Sequence, residues 1–165
     1  MDEPEKCLWA AAYQNQDIIC VISRSGYRSC AYDPRGNEIV LGVDADDDAL
    51  GIAVKNALAG SRFLSLDELP EFFDYRRCEE KYEKWVASLI EAGGYETRTT
   101  LFRYLKHCGI TLSKGAIRIR PTIHETLETW GREKNDGIED VFIPVESTPK
   151  ETGSALRLGF SRCVG

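Results

Sequence analysis

Two histidines, His107 and His124, with Lys106 beside the first, are the side chains of this sequence best suited to acid-base chemistry, because an imidazole titrates near neutrality. They lie in a basic stretch. From residue 97 to residue 124 there are six cations, Arg98, Arg103, Lys106, Lys114, Arg118 and Arg120, and no acid. With Phe102 and Tyr104 interleaved, that stretch could hold RNA through phosphate contacts and base stacking, and the histidines could then cleave it. Neither histidine is placed near the other by sequence, and Cys108, adjacent to His107, would not face it. No nucleophile elbow, phosphate-binding loop, dinucleotide fingerprint or His-Glu-x-x-His motif occurs. The net charge of −6 repels a polyanion at long range. The simpler reading pairs these cations with acidic neighbours, and neither catalysis nor direct nucleic-acid binding is expected.

The acids favour a protein partner. Outside the basic stretch, fifteen basic side chains face twenty-seven acidic ones, the whole-chain totals being 21 and 27. Opposite net charge speeds association with a basic protein. A nuclease must be positive to hold its substrate, so an acidic protein that covers that surface inhibits it. Two clusters are candidates for the contact: Asp44, Asp46, Asp47 and Asp48, then Asp67, Glu68, Glu71 and Asp74. The second adjoins Phe72, Phe73 and Tyr75, and aromatics beside acids make good interface anchors. The spacing of Leu66, Leu69, Phe72 and Phe73 also fits a core-facing helix side. The cysteines at 7, 20, 30, 78, 108 and 163 show no metal-ligand spacing. They are expected as free thiols packed as small hydrophobes, with no metal and no cofactor.

The first acidic cluster belongs to a repeat. Residues 41–58 align without a gap on residues 143–160, matching Val43 with Val145, Gly51 with Gly153, Ala53 with Ala155 and Lys55 with Arg157. Each copy ends in a Ser-Arg pair. The alternation of Ile39, Leu41 and Val43 predicts a strand that feeds a helix over 47–59; the second copy predicts a helix over 149–160. Thr148, Pro149 and Glu151 form the capping box at its start. In the first copy Asp46 to Asp48 place negative charge at the helix N-terminus. Glycine inside both helices predicts a close approach to the sheet, since glycine otherwise weakens a helix by about 1 kcal/mol.

Between the copies, Cys78, Tyr82, Trp85, Val86, Leu89 and Ile90 mark one face of a helix closed by Gly93-Gly94. Residues 8–13 and 17–23 read as strands, residues 33–36 as a turn, and residues 110–112 with 116–120 as a hairpin. Residues 101–106 fit strand or helix. Residues 121–130 read as a short helix and 134–137 as a loop. The expected fold is α+β: a single domain over 1–165, a mainly antiparallel sheet packed by helices, with two repeated strand-helix units. No apolar run is long enough to span a membrane and the start lacks a signal-peptide pattern, so a cytoplasmic protein is expected.

The strand-helix ending over 143–163, the segment Pro121-Thr-Ile-His-Glu-Thr-Leu-Glu-Thr-Trp130 and the first repeat ending Leu58-Ala-Gly-Ser-Arg62 resemble a family of bacterial contact-dependent growth inhibition immunity proteins. The resemblance runs from about Gly26 to the end. It implies a cytoplasmic, non-enzymatic protein that binds the toxic C-terminal domain of a cognate cell-surface effector, often a nuclease, and blocks its active site. It carries no list of binding residues; those above come from charge.

Overall fold

The computed structural model describes residues 3–165. Strands Leu8–Gln14 (β1) and Ile18–Gly26 (β2) pair antiparallel around a turn held by Asn15, whose side-chain oxygen accepts from the Asp17 and Ile18 N–H groups at 2.9 and 3.0 Å. β2 is buried at nearly every position, as its unbroken apolar run requires of a strand covered on both faces. Cys30–Tyr32 (β3) and Glu38–Gly42 (β4) both add to the outer edge of β2, one after the other along its length. Lys106–Ser113 (β5), Ala116–Pro121 (β6) and Val141–Pro144 (β9) form a second antiparallel run, and β5 pairs with β1 to complete a seven-stranded sheet.

The helices predicted from the repeat form as Asp47–Ala59 (α1) and Pro149–Ser161 (α5). Asp46 caps α1 by accepting from the Ala49 N–H at 2.8 Å, and Thr148 and Glu151 complete the capping box of α5. Both helices lie on one face of the sheet. Leu50, Val54 and Leu58 of α1, with Leu156 and Phe160 of α5, pack there on Ile19, Val21, Ile110, Ile117 and Ile119.

The duplication is larger than the sequence repeat. β1–β2–β4–α1 and β5–β6–β9–α5 are equivalent units about an approximate two-fold axis at the Ala11↔Gly109 pair. The shift that carries Tyr13 onto Thr111 carries its partner Cys20 onto Arg118, and it relates the pair Tyr13↔His107 to Thr111↔Trp9. The repeat glycines serve this axis and not the sheet, which corrects the expectation from sequence. A Cβ on Gly51 would lie 1.7 Å from the Pro149 carbonyl oxygen, and one on Gly153 would lie 1.9 Å from that of Asp47. The two helices cross where neither can carry a side chain.

The other sheet face is covered over one half only. Tyr75–Gly93 (α3), closed by Gly94 in the left-handed conformation, and Arg98–Phe102 (α4) bring Trp85, Val86, Leu89, Leu101 and Phe102 onto Ala11, Ile18, Cys20 and Ile22. A 3₁₀ turn at Leu66–Glu68 and the short helix Leu69–Phe72 (α2) precede them. Phe72 is buried here, while Leu66, expected in the core, is 65% exposed because the tight turn points it away from the sheet.

Residues 121–130 also depart from expectation. They form the hairpin Ile123–Thr126 (β7) and Thr129–Gly131 (β8), not a helix. β-branched Ile123, Thr126 and Thr129 favour extended backbone. Distant partners fix it: the His124 N–H donates to the Val164 carbonyl at 2.8 Å, and the Trp130 indole donates to the Leu105 carbonyl at 2.8 Å. All six cysteines are free, and the Sγ atoms of Cys108 and Cys163 lie 3.6 Å apart.

Candidate functional site

The first acidic cluster sits where β4 turns into α1. Asp46 is the cap, and Asp47 accepts from the Arg157 guanidinium at 2.7 Å, so both carboxylates are engaged within the fold. Asp44 and Asp48 are exposed, with no ion pair among the described residues. The second cluster lies beyond the other end of α1. At a rise of about 1.5 Å per residue the helix separates the two by roughly 20 Å, so they do not merge into one patch.

In the second cluster Asp74 caps α3 by accepting from the Arg77 N–H at 3.1 Å, and Glu71 pairs with the Arg77 guanidinium at 2.9 Å. Glu68 accepts from the Ser65 N–H at 2.8 Å, which holds its carboxyl below the usual range. Asp67 is exposed and has no ion-pair or hydrogen-bond partner for its side chain among the described residues. Glu68, Glu71, Arg62 and Arg77 line a cleft of about 240 Å³ whose floor includes Asp33. Burial would raise the Asp33 pKa, but bonds from Arg62 at 2.8 Å, the Ser25 hydroxyl at 2.6 Å and the Arg35 N–H at 3.0 Å outweigh it and lower the value. A surface of fixed, solvated carboxylates with few rearrangements to make is suited to meeting a basic protein.

Much of the basic stretch is neutralised internally. Arg98 spans Glu83 and Glu128 at 2.7 Å each, Arg118 pairs with Asp140, and Lys114 lies 3.7 Å from Glu5. His107 and His124 both pack on Trp130, with ring centroids 5.9 and 5.0 Å from it. Each has its own occupation. His124 Nε2 lies 2.8 Å from the Leu127 carbonyl, and His107 is held neutral, its pKa brought down to about 3 by burial and by the Arg24 cation. A ring so hard to protonate is a poor general acid. Among the described residues no cluster of His, Cys, Asp and Glu has the geometry of a metal site.

Sequence reasoning missed a second concavity, beneath α3, walled by aromatic rings from β1, β3, α3, β5 and β8. Two of the three tryptophans, Trp85 and Trp130, line it, but their spacing gives no hint that they meet.

Comparison with known proteins gives consistent results. A sequence profile for the family described as CDI immunity protein (CdiI) matches residues 8–163. Immunity protein CdiI-YPIII of Yersinia pseudotuberculosis serotype O:3 (strain YPIII) is 39% identical, with 100% of both chains covered. Among solved structures, the CdiA-CT/CdiI toxin and immunity complex from Yersinia pseudotuberculosis superposes with a TM-score of 0.88 at 39% identity, covering 98% of this chain and 99% of that one. The Protein of Unknown Function NMB0488 from Neisseria meningitidis gives 0.89 at 34% identity, with 99% of each chain covered.

Proposed function

We propose, since this chain belongs to the CdiI family of contact-dependent growth inhibition (CDI) immunity proteins, that it binds and neutralises the C-terminal toxin domain of a cognate CDI effector by covering that domain's active site. It acts inside the cell and catalyses no reaction. The observation that carries the reading is full-length similarity to a relative solved as a complex of toxin and immunity protein. The toxin domain is basic, and it is a nuclease: the net charge of −6 suits a partner whose own substrate is a polyanion. No helix among the described residues is long and apolar enough to cross a membrane.

The contact uses the acidic clusters, led by the unpaired carboxylates Asp44, Asp48 and Asp67, with Asp46, Asp47, Glu68, Glu71 and Asp74 held in place by caps and ion pairs. An inhibitory interface of ordinary size buries about 1,600 Å² in total, so these acids steer and orient while neighbouring residues supply most of the area.

Co-expression of the toxin domain encoded beside this gene tests the reading. Growth is rescued, and calorimetry on the purified pair gives a Kd of about 10⁻⁷ M or tighter. Replacing Asp44, Asp48 and Asp67 together with Asn slows association about 3- to 10-fold at low salt and leaves dissociation nearly unchanged. No rescue and no heat from a folded protein would overturn the reading, and RNA would then be tried on the basic stretch.

A further inference from the structure

The concavity beneath α3 has about 390 Å³ of free volume, within the range of sites that take small molecules. Its walls are the rings of Tyr13, Tyr32, Tyr82, Trp85, His107 and Trp130. The rings hold one another in place: Tyr13 lies 4.9 Å from Trp85, 4.9 Å from His107 and 5.5 Å from Trp130 between centroids. Such a set offers faces and edges to a planar guest with little reorganisation.

Two nitrogens of the rings that form this wall, Trp85 Nε1 and His107 Nε2, have no hydrogen-bond partner among the described residues, and both are packed in with almost no accessible surface. Trp85 is only 3% exposed, and its indole N–H has beside it just the Cys20 thiol, a weak acceptor. The His107 tautomer follows from its neighbours. The Thr122 hydroxyl donates to the His107 carbonyl at 2.6 Å, so its oxygen is left to accept from His107 Nδ1–H at 3.3 Å. Nε2 is then a bare acceptor in a neutral ring. Unpartnered buried polar atoms are rare, and each invites an explanation.

Charge adds the third part. Arg24 and Lys81 line the same cavity, and neither has an acidic partner within ion-pair distance among the described residues. Arg24 makes one long bond, 3.4 Å to the Cys30 carbonyl, and Lys81 lies over the Phe72 ring at 4.5 Å. The acid that does line the cavity, Glu128, is already taken up by Arg98 and the Tyr82 hydroxyl. Two uncompensated cations beside an aromatic pocket favour an anionic guest.

We propose that this cavity is a binding site for a small planar aromatic anion: its ring lies among the tyrosines and tryptophans, and its anionic group reaches Arg24 and Lys81. Both nucleoside monophosphates and hydroxy- or amino-substituted aromatic carboxylates have this chemistry. The site is independent of toxin recognition.

Tryptophan fluorescence and calorimetry on the intact protein test it with AMP, GMP, 4-hydroxybenzoate and anthranilate as probes. At least one should bind with a Kd of about 10⁻⁵ to 10⁻⁴ M and quench the tryptophan emission; nucleotide or carboxylate preference separates the two sources. Arg24→Gln should weaken that binding about tenfold or more, with unchanged far-UV circular dichroism as the check on folding. Lys81→Gln should weaken it severalfold and serves if Arg24→Gln fails to fold. Absence of binding by all four probes at 1 mM overturns the proposal, as does binding that none of the folded variants alters. Protection of the cavity by the toxin domain alone, with no probe bound, would make it part of the protein-protein contact and would equally overturn it.

Discussion

In the first half of the sheet, Ala11, Ile18, Cys20 and Ile22 lie beneath α3 and α4 and are almost wholly buried, whereas the equivalent face of the second half presents Thr111, Arg118, Arg120 and Phe142 outward. The units are related by the same strand order, the same register and the same glycine crossing, so the difference does not arise in the repeat. It arises in what was inserted. The segment joining α1 to β5 is long enough to fold back as α3 and α4 over its own unit, and β2 answers with an apolar run. The insertion between β6 and β9 is the small β7–β8 hairpin, which reaches only the end of the sheet near Tyr13 and His107. β6 accordingly alternates, with Ile117 and Ile119 inward and Arg118 and Arg120 outward. A sheet face takes the side chains that its covering demands.

Uncovering the first half should give the largest effect. Phe102→Ala removes a fully buried ring packed beneath α4, and urea denaturation should show a loss of about 3–5 kcal/mol. Gly51→Ala and Gly153→Ala come next. Alanine is ordinarily the better helix residue, but here its methyl group meets a backbone carbonyl that cannot move aside, so each should lower stability by about 3 kcal/mol. Near-equal losses are expected because the two positions are related by the axis; a marked inequality would show that the crossing is symmetric in shape but not in energy.

The seam between the halves gives a pH-dependent term, spread over several pH units. His107 is neutral in the folded protein to about pH 3 and titrates near 6.5 when unfolded. Its contribution is complete above about pH 6.5 and is lost as the pH falls, since the unfolded chain then binds the extra proton. Stability should rise with pH across that window by up to about 1.4 kcal/mol per pH unit, and His107→Gln should flatten the profile. Phe142→Ala, on the uncovered face, should change stability by no more than about 0.5 kcal/mol. Phe142 is 66% exposed beside Arg118, and a large loss there would mean that this face is covered in solution.

What was legible in the sequence was local. The capping box at Thr148, the stripe from Cys78 to Ile90 and the turn at Lys114-Gly115 each act within a few residues, and those elements appear where the sequence puts them. The β7–β8 hairpin was not legible because Leu105 and Val164 hold it. Gly51 and Gly153 announced a close approach but not its partner. Of the candidate site, the excess of acid could be read directly. That Asp46, Asp47, Glu71 and Asp74 would be occupied by caps and arginines was not evident from charge alone: a carboxylate that caps a helix or pairs with Arg77 counts as an acid like any other, and the Asp47 bond comes from Arg157, 110 residues away. The aromatic cavity was hidden for the same reason, its walls being drawn from five separate elements.

The crossing of α1 and α5 has a consequence for how the protein is made. Synthesis runs from the N-terminus at about 5–20 residues per second, and α5 is the last described helix to emerge. Until it does, the Gly51 side of α1 has nothing to lie against and the edge of β1 that β5 will take has only recently been met. The first unit therefore waits for the second, and a nascent chain stopped before Pro149 leaves the Gly51 side of α1 open to water. Protection of the cell against a delivered toxin would then depend on the number of finished chains, not on the number being translated.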